Sequence, residues 1–399
     1  MGQIRIIWRD PVLRMIGMAT MMFGILAASF EPYKSLLGIS IFGLSDNAFA
    51  LVLVGSFSMS VVASVWVGIV TDQRQSRKPL ALLSVMAATG GTAIAWIGDS
   101  QIAFIVAHAI LLPISATILG QLFAITRLYT ANRPAAERDG VTSVIRALFA
   151  VPFVVVLPTW GLIFDTGVAL TTLYPALCVI CLIFALLIWR RWPRDVDAPW
   201  IEQKSGLGFL ASVKELMSSH IVWRIFWMGA VHSGSTLMGV ILALVFTQTE
   251  GRTAGDVGIF FGAFVALEIL VMLSVGTLVK YFRRLHIIAA GAVFYAVFMG
   301  LLPVMAPYPA VWLLIIPVAV GGGLLYGLSI SYLQDLLGDR AGAGASLVTL
   351  QRVVSHALAT LIFAIGAALS GYGLAAFMGA AVILCGAAML LYLDRTAQT

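Results

Sequence analysis

One glutamate, Glu268, stands in the apolar run FVALEILVML with no other acid within ten residues on either side. An ionisable side chain in such surroundings costs a few kcal/mol to keep there, so each isolated one is a functional candidate. A lone carboxyl group of this kind can take up and release a proton, or accept hydrogen bonds from a hydroxyl-bearing ligand. The structural alternative is a carboxylate neutralised by a cation such as Arg352. Two arginines, Arg146 and Arg352, also fall inside apolar runs. Each stays charged at any physiological pH, and its forked donors suit hydroxyls or a carboxylate. Each equally has a stem long enough to reach the membrane surface. Glu31 precedes Pro32 in ILAASFEPYKSLLG. A proline frees a backbone carbonyl and kinks a helix, so this acid marks either a broken helix at a ligand or proton site, or an outer end where Glu31 pairs with Lys34. Gln121, His232, Tyr326, Tyr332 and Gln351 complete a set of amides and aromatic rings able to line a polar cavity, although each also suits a hydrogen bond between helices.

These residues are embedded in a chain written for lipid. Of its 399 residues 61% are hydrophobic and 11% charged, against roughly 25% charged in soluble domains. Apolar segments long enough to cross the hydrocarbon fall at 13–38, 47–70, 79–97, 101–128, 140–163, 168–190, 220–247, 254–280, 285–306, 310–334, 342–369 and 372–393. Lipid offers no partner for an open backbone group, and these runs are much longer than barrel strands. The expectation is therefore an all-α integral membrane protein with twelve transmembrane helices.

Lys and Arg orient the spans. If the chain starts inside, 20 of the 24 lie in segments on that side and 2, Lys34 and Arg252, outside, with Arg146 and Arg352 within spans. That bias predicts both termini in the cytoplasm. The opening MGQIRIIWRDPVLR lacks a small-residue cleavage site after a short apolar core, so no cleaved leader is expected. The long charged segment from 189 to 220 separates six spans from six. It divides the chain into an N-terminal six-helix bundle (1–190), a cytoplasmic linker with a short amphipathic helix at GFLASVKELM (191–219) and a C-terminal bundle (220–399).

The halves echo each other. GIVTDQRQSRKP follows the second span and GTLVKYFRRLH the eighth, each with a glycine, a charged residue four later and then a basic pair. Gly68, Asp72, Arg77 and Lys78 in the first half, and Gly276, Lys280, Arg283 and Arg284 in the second, are read as a charge latch at the inner helix ends. Weak self-similarity of this kind fits a transporter of two parallel halves rocking about a midplane site.

Other functions are disfavoured. The net charge of +6 comes from short clusters between apolar runs, not from a basic stripe with interleaved aromatics, so nucleic acid is not an expected partner. Cys178 and Cys181 form a C-x-x-C in an apolar helix with nothing polar beside it, so neither metal nor redox chemistry is expected. The chain has no Gly-x-x-x-x-Gly-Lys-Ser/Thr, His-Glu-x-x-His or Gly-x-Ser-x-Gly pattern, so it reads as neither an ATP-driven protein nor an enzyme, and no cofactor is implied.

The twelve spans, the central linker and the Gly68–Asp72–basic signature resemble the major facilitator superfamily. VALEILVMLSVGTLVKYFRR, YGLSISYLQDLLGDRAGAGASLVTLQRVV and TSVIRALFAVPFVVVLP are similar to stretches of the bacterial sugar efflux transporters. The resemblance implies two pseudo-symmetric six-helix bundles in the inner membrane. It also implies a monomer working among membrane lipids, exporting sugars or related small solutes in exchange for protons, with a glutamate at the position of Glu268. Glu268 and Glu31 are then the candidates for proton coupling. Arg146, Arg352, Gln121, His232, Tyr326 and Gln351 are those for substrate binding. The rival readings are a proton-driven exporter of lipophilic compounds, suggested by 15 Met and 22 Phe, and a non-transporting receptor.

Overall fold

The computed structural model describes residues 2–73, 76–193, 219–336 and 341–396. Twelve helices are long and apolar enough to cross a membrane. We number them α1 (Pro11–Phe30), α2 (Asp46–Thr71), α3 (Lys78–Gly98), α4 (Gln101–Tyr129), α5 (Gly140–Asp165), α6 (Leu170–Arg191), α7 (Ile221–Gln248), α8 (Ala254–Leu278), α9 (Arg284–Met305), α10 (Pro309–Leu333), α11 (Leu347–Ser370) and α12 (Tyr372–Arg395). No strand is formed among the described residues.

Hydroxyls inside the spans are absorbed by the helices that carry them. Thr20 donates to the Ile16 carbonyl at 2.8 Å, Ser29 to Ile25 at 2.8 Å and Thr126 to Leu122 at 2.8 Å. Where no water reaches, this back-bonding leaves a short polar side chain satisfied without a second helix. Starts are capped as the sequence prescribes. Asp10 accepts from the Val12 and Leu13 amides ahead of Pro11, and Thr253 and Asp256 form a reciprocal capping box at α8.

The first span departs from the expected 13–38. Its regular helix stops at Phe30, turns through Glu31–Tyr33, and resumes as one short helical turn (Lys34–Leu36) and a π-helical turn (Leu37–Ile41). Pro32 is the cause, because its ring clashes with the carbonyl four residues back and it has no N–H to donate. A second π-helical turn, Ala107–Leu111, widens α4 just before Pro113.

The chain divides into two compact units, Met1–Ser205 and Gly206–Thr399. In the first unit α1 packs on α5 and α6, α3 on α6, and α2 on α4. In the second, α7 packs on α11 and α12, α9 on α12, and α8 on α10. Adding six to each helix of the first scheme reproduces the second, the pseudo-symmetry of the two bundles. The amphipathic helix expected within 191–219 lies outside the described residues.

Small residues bring the paired helices together, as lipid supplies no hydrophobic drive for association. A Cβ at Gly24 of α1 would fall 2.6 Å from the Phe149 carbonyl oxygen of α5. In the equivalent pair of the second unit, a Cβ at Gly229 of α7 would fall 2.6 Å from Val354 Cβ of α11.

At its basic end the first unit is tied by Asp10. Besides capping α1, its carboxylate accepts from Tyr129 Oη at 3.0 Å and pairs with Arg133 at 2.9 Å; Arg133 also pairs with Glu137 at 2.7 Å. The Glu137 hydrogen bond, with the nearby Asp10 charge, holds the Arg133 guanidinium above its ordinary range. In the second unit the buried Arg224 of α7 donates to the Leu393 carbonyl of α12 at 2.8 Å, beside Tyr332 at the end of α10.

Candidate transport site

The site begins with how α8 and α10 touch. Gly323 and Gly327 are four apart on α10 and face Val271 and Val275, four apart on α8. A Cβ at Gly323 would fall 2.7 Å from Val271 Cβ, and one at Gly327 3.1 Å from Val275 Cγ2. With the backbones so close, the side chain one turn before Val271 has space only if α10 supplies it. That side chain is Glu268, and α10 supplies Gly322: a Cβ there would overlap the Glu268 carboxylate at Oε1 and lie 3.0 Å from its Cδ. The carboxylate occupies the volume that any other residue at 322 would fill. It makes no hydrogen bond or ion pair with another described residue. The expected alternative, neutralisation by Arg352, is therefore not formed.

From this acid a succession of neighbouring polar groups, drawn from four helices, runs through the second unit. Tyr295 of α9, 2% exposed, lies within electrostatic reach of Glu268 and of Tyr326 on α10. The Tyr326 ring stands edge-on to the His232 ring of α7, with centroids 5.4 Å apart. His232 Nε2 is 2.7 Å from Ser329 Oγ, whose hydroxyl already donates to the Leu325 carbonyl at 2.7 Å. With the hydroxyl proton directed to Leu325, the ring is assigned as the donor, its proton on Nε2. Arg352 of α11 is exposed and lies within electrostatic reach of His232. Gln351 beside it is buried, its backbone carbonyl oxygen 3.0 Å from where a Cβ of Gly229 would lie.

The first unit does not concentrate its candidates in this way. Gln121 is buried between α3 and α4, where Nε2 donates to Ser84 Oγ at 3.1 Å, and Ser84 is in turn 2.7 Å from Thr117 Oγ1. Its Oε1 has no hydrogen-bond partner among the described residues. Arg146 on α5 is exposed and holds its guanidinium 5.9 Å from the centroid of the Phe123 ring. Glu31 is exposed at the end of α1, and no ion pair joins it to Lys34 among the described residues.

Of the latch residues, Gly68 and Gly276 both face open space, since a Cβ on either would meet nothing within 4 Å. Arg77 is buried at the start of α3 with Lys78 half-buried after it, while Lys280, Arg283 and Arg284 are exposed. The Asp72 side chain lies outside the described residues.

Several contributors escaped the sequence reading. Gly322, inside the run GGG, carries no chemistry of its own and betrays its role only through what faces it. Ser329 in YGLSISY has the same signature as a hydroxyl that merely back-bonds. The buried pair of His108 Nε2 and Tyr174 Oη, 3.0 Å apart, sits among Phe30, Phe42 and Phe104. A lone tyrosine near the start of α6 gave no sign of it. No group of three or more His, Cys, Asp or Glu fit to hold a metal ion is found among the described residues.

No model of a known protein family matches the chain. A Deinococcus radiodurans protein described as a sugar efflux transporter is 26% identical over 95% of this chain and 97% of its own length. Sugar efflux transporter A of Dickeya chrysanthemi is 26% identical over 83% of this chain and 84% of its own. Among solved structures, a point mutant of the nucleoside transporter NupG superposes with a TM-score of 0.81 at 11% identity, covering 96% of this chain and 100% of that one. A D-xylose–proton symporter superposes with a TM-score of 0.70 at 14% identity, covering 95% and 97%. These relatives and neighbours are transporters, not enzymes. The chain is a membrane transporter with the major facilitator fold, and in sequence it resembles the bacterial sugar efflux transporters.

Proposed function

We propose that this transporter exports sugars or related small hydroxylated solutes across the bacterial inner membrane, in exchange for protons and by alternating access. The observation that carries this reading is Glu268, a mid-span carboxyl group with no hydrogen-bonding or ionic partner among the described residues, seated in space that Gly322 leaves open. A permanently charged carboxylate at that depth would call for a cation, and none pairs with it among the described residues. A group that is protonated in one part of a cycle and charged in another needs a partner only part of the time.

The solute class rests on the sugar efflux relatives and on the residue types around the acid. Arg352, Tyr326 and the His232–Ser329 pair together offer forked donors, an aromatic face and an ordered imidazole. Arg146 and the free Oε1 of Gln121 are the corresponding candidates in the first unit. The latch assigned to Gly68, Asp72, Arg77, Lys78 and the matching residues of the second unit would bias the conformational equilibrium without touching solute. The Lys and Arg distribution supports cytoplasmic termini, and the functional unit is a monomer.

The test is flux of a panel of radiolabelled mono- and disaccharides in proteoliposomes, with and without an imposed pH gradient. Sugar flux that rises with the gradient supports the reading. Movement of lipophilic cations in place of sugars would replace it with multidrug export, and absence of any flux would refute transport of either class.

A further inference from the structure

A groove of about 520 Å³ opens in the first unit between α2, α3 and α4, lined by nine residues that are all apolar, among them Met59, Val62 and Trp66 of α2, Leu83 and Met86 of α3 and Ile114 of α4. Its walls are accessible: Val62 is 63% exposed, Met86 53% and Trp66 48%. Helices that spanned lipid with flush side chains would leave only shallow furrows, whereas this volume is within the range of small-molecule pockets, roughly 300–1,000 Å³. Taking a methylene at the ~30 Å³ that a water occupies in the liquid, the groove holds on the order of 17 methylenes. That is one long acyl chain.

The position of the groove says which lipid. Leu83 lies five residues into α3 from Lys78, about 8 Å at ~1.5 Å per residue, and the groove continues from there toward the bilayer centre. Trp66 lies five residues from the adjoining end of α2. Tryptophan at that depth marks the headgroup boundary. Arg77 precedes and Lys78 begins α3 at the end nearer Leu83, which the orientation read from Lys and Arg assigns to the headgroup level of the cytoplasmic leaflet. An acyl chain gains little on passing from bilayer to groove, so discrimination among lipids must come from the charge at the rim. One basic residue at a membrane surface favours an anionic lipid by roughly fivefold.

We infer that the α2–α3–α4 groove is a binding site for one acyl chain of an anionic phospholipid of the cytoplasmic leaflet, whose headgroup phosphate is met by Lys78. Met59 and Met86 suit this occupant, since unbranched thioether side chains adapt to a mobile chain. The inference is independent of the proposed solute and of Glu268.

The test is native mass spectrometry of the full-length protein in detergent with an equimolar mixture of phosphatidylglycerol and phosphatidylcholine of matched chains. The wild type is expected to retain one phosphatidylglycerol with a preference of about fivefold, unaffected by excess glycerol 3-phosphate. Lys78→Gln should bring the ratio near one, while Lys280→Gln should leave it unchanged. Met86→Trp, and independently Val62→Trp on the opposite wall, should fill the groove and lower retention of both lipids several-fold, with thermal stability in phosphatidylcholine preserved. A ratio indifferent to Lys78→Gln, or occupancy indifferent to both tryptophans, would overturn the inference. Displacement by glycerol 3-phosphate would show a free-phosphate site and refute it equally.

Discussion

The Glu268 carboxylate of α8 lies where a side chain at Gly322 of α10 would have to be. The two residues are therefore one unit: the glycine has no function without the acid, and the acid has no room without the glycine. Gly322→Ala should displace the carboxylate and cut gradient-driven transport by about an order of magnitude, with expression retained. Shortening the acid in the double variant Gly322→Ala with Glu268→Asp should restore part of the loss. Transport in reconstituted vesicles measures both, and normal coupled flux in the alanine variant would show that the contact is incidental.

The His232–Ser329 pair is buried, so removing one member leaves a polar atom without a partner. Ser329→Ala should lower stability by about 1–3 kcal/mol, while Ser274→Ala, whose exposed hydroxyl only donates to the Val271 carbonyl of its own helix, should change stability little. Thermal unfolding in detergent distinguishes the two. Equal losses would mean that the hydrogen bond to His232 is not what stabilises the pair.

Much of this arrangement was legible in the residues, and the remainder was hidden for identifiable reasons. Spans are set by a one-dimensional property, apolar length, so twelve helices follow from the pattern. Pro32 also announced a break in α1, but its consequence for Glu31, an exposed place on a helix end, depends on where the interrupted turn goes. Glu268 stood out because the cost of an isolated charge in lipid needs no neighbour to be recognised. Gly322 did not, because a glycine's role is defined by what approaches it. The place of Gln121 between α3 and α4, with its Nε2 on Ser84, was hidden too, since burial depends on which helices pair.

Asp10 does two tasks, capping α1 and holding Arg133 and Tyr129, with its side chain 15% exposed and that of Arg133 28%. Asp10→Ala should therefore cost more than Arg133→Gln, about 2 kcal/mol against about 1. Differential scanning measurements on the two variants check the order, and a larger loss from Arg133→Gln would contradict the capping role.

Gly24 lets α1 approach the α5 backbone. A methyl there would sit 2.6 Å from the Phe149 carbonyl oxygen, which cannot move without its helix. Gly24→Ala should destabilise the protein by about 1–3 kcal/mol, whereas Gly68→Ala, inside a helix with open space around it, should leave stability unchanged or raise it by up to about 1 kcal/mol. Thermal melts of both variants in one detergent test the contrast.

The central claim is that Glu268 carries the proton exchanged for solute. It is tested most directly by sugar flux in proteoliposomes with and without a pH gradient, for the wild type and for Glu268→Gln. The account predicts that the gradient accelerates flux in the wild type and has no effect in the variant, which still folds and exchanges solute without coupling. A variant whose flux responds to the gradient as the wild type does would contradict it.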